Sequence, residues 1–225
     1  MNEKPNFKIG AYLLIIGSIL AVIVNVLHPR SADIDDQSAR FQEIADSAIW
    51  LPIHLGIILA VLLVLGGLTG LYRSFEDPRG AAWARLGFVA TLVGSITLFV
   101  LIGIDGIGMK TLATEWVNAP TESKAIAFGS LQAVNAIRLG LFDLFIILFF
   151  GVPFIAFGLA VMMGTGYPTW LGWVALIFGI ASLLVGVAQV FTGQTVLLTN
   201  ILFPLFSVIL TLWLLVMGIL LLRKA

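Results

Sequence analysis

Cysteine is absent from the 225 residues, so the chain has no disulfide framework, no thiolate metal site and no cysteine nucleophile. Charge is scarce too: 11% of residues are Asp, Glu, Lys or Arg, against about 25% in an ordinary soluble domain. Between Leu144 and Leu222 there is no charged residue and no histidine, which excludes a soluble domain from the last third of the chain. Formal net charge is zero, which argues against a nucleic-acid surface or a strongly basic membrane-binding face. Gly-rich phosphate loops, G-x-S-x-G elbows and kinase-like motifs are missing as well.

What is present is apolar: 60% of the chain is hydrophobic. A crossing needs about 20 such residues to span a hydrocarbon core about 30 Å thick. The apolar runs place spans at about 9–27, 49–72, 86–106, 139–163, 170–190 and 201–222, an all-α, six-transmembrane-helix bundle that takes up the whole chain. The first run is longer than a signal peptide's apolar region and ends in Asn25, His28 and Pro29 rather than small residues, so it reads as a retained span. An acidic loop at 31–47, with Asp33, Asp35, Asp36, Glu43 and Asp46 against Arg40, has room for a short surface helix. Residues 110–118 and 191–199 read as loops, and Thr121 after Pro120 as a helix N-cap. The mildly amphipathic stretch 122–137 is expected to run on into the fourth span, which Pro153 is expected to kink.

The fifth span carries the most regular pattern. Gly172, Ala175, Gly179, Ser182 and Gly186 recur at steps of three and four, stack on one helix face and lead to Gln189. Between membrane helices, small-residue faces are where close packing occurs, and this helix is expected to be the bundle's central post. A weak repeat relates residues 66–95 to 157–182, each holding a proline-containing turn, a Trp and the following span. The short connector with Arg73, Arg79 and Arg85 dominates the positive-inside balance. Together with Lys4, Lys8, Arg223 and Lys224 it puts both termini in the cytoplasm.

That orientation sorts the polar side chains to the outer end. Asn25 and His28 close the first span, His54 opens the second, Asp105 closes the third, Asp143 opens the fourth behind Arg138, and Gln189 closes the fifth. A charge in hydrocarbon costs several kcal/mol and faces protein or a water-filled cavity, so His54, Asp105, Asp143, Gln189, Asn25 and Arg138 form the candidate ligand site. Each also has a structural alternative as a span end or a cross-helix hydrogen-bonder. His28, His54, Asp105 and Asp143 would suit a divalent metal with an open position, although no H-E-x-x-H spacing supports it. Two histidines on adjacent spans could also hold a b-type haem, but His28 is shallow for that. Trp50, Trp116, Trp170 and Tyr167 sit where interfacial belt residues belong.

The W-L-P-I-H start of the second span, the I-D-G-I-G end of the third and the P-T-W-L-G-W opening of the fifth resemble a group of six-span bacterial membrane proteins classed as a domain of unknown function. The resemblance implies a six-span bundle in a bacterial inner membrane and brings no activity or functional residue with it. The residues themselves point to a non-enzymatic membrane protein that binds a small or lipidic ligand in an outward-facing pocket, or serves other membrane subunits. A small transporter and an intramembrane metal-dependent hydrolase are the rival readings.

Overall fold

In hydrocarbon no water satisfies backbone N–H and C=O groups, so an apolar chain of this length is left with helices. The computed structural model describes residues 7–29 and 36–225; Lys4, Asp33 and Asp35 lie outside them. The described residues form seven helices and no strand: α1 (Lys8–Leu27), α2 (Gln37–Asp46), α3 (Trp50–Arg73), α4 (Pro78–Asn118), α5 (Thr121–Met163), α6 (Thr169–Thr192) and α7 (Val196–Arg223). All but α2 are long and apolar enough to cross a membrane.

Several boundaries depart from the pattern of polar and apolar runs. The α4 helix is 41 residues long. It starts at Pro78, capped by the Asp77 carboxylate, which accepts from the N–H groups of Arg79 and Gly80, and it runs through the loop expected at 110–118. That stretch stays helical because Met109 and Ala113 are buried against Phe41 and Ile44 of α2, leaving only its other faces polar. The α5 helix, 43 residues, carries 122–137 into the fourth span without a break, as its amphipathic pattern suggests. Thr121 is its first helical residue rather than its cap. Of the loop expected at 191–199 only 193–195 lie outside a helix, the rest belonging to the end of α6 and the start of α7.

Three stretches are wound as π-helix: Gly103–Gly108 in α4, Ile146–Gly151 in α5 and Val196–Leu202 at the start of α7. The second is where Pro153 has its effect. Proline has no N–H to offer the preceding turn, and the chain accommodates it by widening that turn.

The small-residue face of α6 is buried along its whole length, Gln189 included. It lies on the second half of α5: a methyl group on Gly172 would meet the Gly158 carbonyl at 2.8 Å, and one on Gly179 the Ile155 nitrogen at 2.9 Å. Yet the central post is α5. Its apolar window is 67% buried against 33% for α6, whose other faces turn Trp170, Trp173, Ile177 and Leu184 outward. A stripe of small residues guarantees one close neighbour, and a central helix needs several. On the far side α1 and α3 meet backbone to backbone at Gly10, Gly17, Gly67 and Gly70.

Near the arginine-bearing connector the bundle closes tightly. Tyr167 is buried rather than interfacial, shares a hydrogen bond with Ser74 and lies under the Lys224 ammonium, 3.9 Å from its ring centroid. At the opposite end α2 rests on α4 and α5 through a second core of Phe41, Ile44, Trp50, Met109, Ala113 and Leu131, which Trp116 packs against. Lys110 latches α2 by donating to the carbonyls of Ile44, Ala45 and Ser47 at 2.9, 2.7 and 2.9 Å. These acceptors are orphan carbonyls at a helix C-terminus, which a cation satisfies.

Candidate functional site

The π-turn at Gly103–Gly108 sets the site's geometry. It interrupts the regular ladder of carbonyl bonds, and the indole N–H of Trp50 reaches across from α3 to the carbonyls of Asp105 and Gly106, at 3.2 and 3.0 Å. Trp50 is therefore a 3% exposed strut between two helices and not a belt residue. One turn further along α3, His54 lies against Gly106, where a methyl group would come within 2.8 Å of its Cβ and Cγ. Only glycine lets the two helices approach this closely.

His54 is 1% exposed. Its Nδ1–H donates to the Trp50 carbonyl at 2.7 Å, because a carbonyl only accepts, and its Nε2 faces Asp105 Oδ2 at 3.3 Å. A neutral imidazole with Nδ1 protonated has a lone pair on Nε2. Lone pair and carboxylate both accept, so the contact calls for a proton or a cation between them. The other Asp105 oxygen, Oδ1, is 3.6 Å from Nε of Arg138, which donates to the Asn135 side chain at 2.8 Å. Oδ1 and Nη2 of Arg138 are both buried without a hydrogen-bond partner. His28 completes the cluster: its Nδ1–H donates to the Pro29 carbonyl at 2.9 Å, and its ring meets that of His54 edge-on with centroids 5.0 Å apart.

These groups form the polar end of a cavity of about 240 Å³. Asn25, His28, His54, Asp105 and Arg138 line it, joined by Arg40 and Glu43 from α2. Burial, with the nearby charge of Arg138, pulls the Arg40 guanidinium down to about 10. Deeper in the bundle the walls are Phe142, Phe145, Phe149, Phe150 and Phe203 with Leu98, Leu101 and Leu214. The π-turn of α5 places Phe149 and Phe150 in this aromatic wall, and that of α7 brings Thr199 and Asn200 to the cavity.

Two expected members stand outside the lining. Gln189 points into the bundle but donates to the Thr199 hydroxyl at 2.8 Å, so Thr199 stands between it and the cavity. Asp143 is buried with its carboxylate toward Gln194, whose amide is 3.4 Å away and does reach the lining. Each lies one side chain back from the cavity, behind Thr199 or Gln194. Neither Arg40, Trp50 nor the phenylalanine wall is assigned to a site by the sequence. For Arg40 the available signal is the spacing of Arg40, Glu43 and Ile44, which share one face of a short helix.

His28 and His54 in edge contact leave no slot for a porphyrin between their rings, so a bis-histidine haem does not fit. One nitrogen of each and one oxygen of Asp105 fall within 4.8 Å of one another. No family model, curated protein or solved structure matches the chain.

Proposed function

We propose that the chain is a membrane-embedded binding protein for an amphiphilic small molecule or lipid. Both termini lie on the cytoplasmic side and the polar end of the cavity lies toward the opposite face. The observation that carries this reading is the pairing, in one cavity, of an aromatic chamber with the unpartnered Arg138 Nη2 and Asp105 Oδ1. Buried polar atoms left unpaired cost about 1–3 kcal/mol each, and a bound head group offering both an acceptor and a donor removes that cost. An apolar tail in the chamber gains about 25 cal/mol for each Å² taken out of water. The orientation rests on Arg73, Arg79 and Arg85 in the short connector at the packed end.

The reading is tested by native mass spectrometry of the full chain released from mild detergent. An amphiphile is expected to stay bound at one per chain, and Val61→Phe, at a cavity-lining position of α3, is expected to lower occupancy at least tenfold while the chain still unfolds in one transition. A bare parent chain, or equal occupancy in Val61→Phe, would sink it. Transport of the bound molecule into proteoliposomes, lost in Asp143→Asn, would make the protein a carrier instead.

A further inference from the structure

We propose that His28, His54 and Asp105 hold a divalent first-row transition-metal ion, zinc by the chemistry of the donor set, at the polar end of the cavity. The proposal goes beyond amphiphile binding and does not depend on it.

Three observations carry it. The first is proximity: a ligand atom from each residue lies within 4.8 Å of the others, drawn from α3, α4 and the segment just after α1. The second is tautomer. Both histidines give Nδ1–H to a backbone carbonyl, Trp50 for His54 and Pro29 for His28. For His54 this is the outer-shell arrangement that fixes a metal-ligating imidazole with Nε2 turned toward Asp105. The third is the contact between His54 Nε2 and Asp105 Oδ2 at 3.3 Å, where two acceptors face each other and a cation satisfies both.

Arg138 sits on the other oxygen, Oδ1. It leaves Oδ2 to the metal and, as an ion pair at 3.6 Å, favours the orientation of the carboxylate. Two imidazoles and one carboxylate are hard-to-borderline donors that suit zinc and its neighbours rather than calcium or magnesium. Three protein ligands leave a coordination position open, and all three residues line the cavity, so that position faces it. A divalent ion bound by a single carboxylate beside Arg138 keeps net positive charge, so the open position takes an anionic oxygen, from water as hydroxide or from the head group of a bound molecule.

The test titrates the full chain, purified in detergent and stripped with a chelator, with cobalt(II) as a spectroscopic stand-in for zinc. One cobalt per chain with the visible absorption of a four-coordinate site is expected, displaced by zinc. His28→Ala and Asp105→Asn are each expected to weaken binding at least tenfold, and Asp143→Asn, outside the cluster, to leave it unchanged. His54→Ala should do the same as His28→Ala; should it fail to fold, His28→Ala and Asp105→Asn decide the matter, His28 being only partly buried and Asp105→Asn preserving shape. No cobalt on the parent chain, or unchanged affinity in both deciding variants, overturns the proposal. Amphiphile occupancy measured on the same samples separates the two readings: loss of metal with retained amphiphile leaves the binding proposal standing, and the reverse leaves the metal site standing.

Discussion

The two ends of the bundle are built on opposite terms. At the arginine-bearing end helices touch through glycine: Gly10 against Gly70, Gly80 against Gly164, Gly158 against Gly172. The void among Val64, Leu68 and Thr91, between this end and the cavity, measures about 10 Å³. At the histidine-bearing end the same helices part around about 240 Å³, and π-turns, a tryptophan strut and a separate short helix join the close Gly106–His54 contact. Close packing in hydrocarbon comes from shape, through small side chains and dispersion contacts. An opening of this size has to be held by directional bonds, and here nearly every such bond ends on a named polar group. Away from Gly106, the polar end therefore responds to loss of a charge, and the packed end to gain of a methyl.

The largest effect is expected from Arg138→Met. It leaves the Asp105 carboxylate buried without its cation, and breaking a buried pair in this way costs about 3–5 kcal/mol; unfolding in detergent measures it. A loss below about 1 kcal/mol, the range of a solvent-exposed pair, would mean that water reaches Asp105 and that the end is open rather than propped. Next comes Gly67→Ala, whose added carbon would lie 2.5 Å from the Leu14 nitrogen and 2.6 Å from its Cα. Overpacking of this kind costs about 1–3 kcal/mol, whereas Gly103→Ala, with nothing within 4 Å of the added carbon, should be nearly silent. Equal effects from the two would erase the contrast between the ends.

The smallest effect is a matter of pH. Burial pushes the Tyr167 hydroxyl up to about 12, with the Ser74 hydrogen bond opposing. A raised value in the folded state means stability complete below the unfolded value of about 10 and lost as pH climbs from there toward 12. Hydrogen exchange should show the packed end loosening over that window in the parent chain and not in Tyr167→Phe, while α2 stays protected.

How far the sequence shows this architecture depends on which periodicity governs each part. The six crossings and the small face from Gly172 to Gln189 are readable because a straight helix keeps its 3.6-residue phase. Asp143 and Gln189 fall just outside the cavity because Gln194 and Thr199, brought in by the segment after α6, stand in front of them, and no local pattern marks that approach. Trp50 looks like a belt residue by position alone; its role depends on carbonyls 55 and 56 residues away. The helix over 109–118 is hidden because its polar residues are conspicuous, while the two that bury it, Met109 and Ala113, need α2 in place to matter. His28, His54 and Asp105 are visible as separate span ends. Their meeting is a product of tertiary structure.

The attachment of α2 decides how one wall of the cavity is held in place. Arg40, Glu43 and Ile44 give this short helix a share of the cavity wall, and beyond its small apolar core it is tied down by the Lys110 ammonium and by the Gln132 amide, which donates to Gln37 at 3.1 Å. Most of these ties are directional bonds to the end of the helix, so they are the ones a substitution can remove without touching the chamber. Under the binding reading proposed above, loss of the Lys110 ammonium shortens the residence of a guest without altering the chamber that holds it.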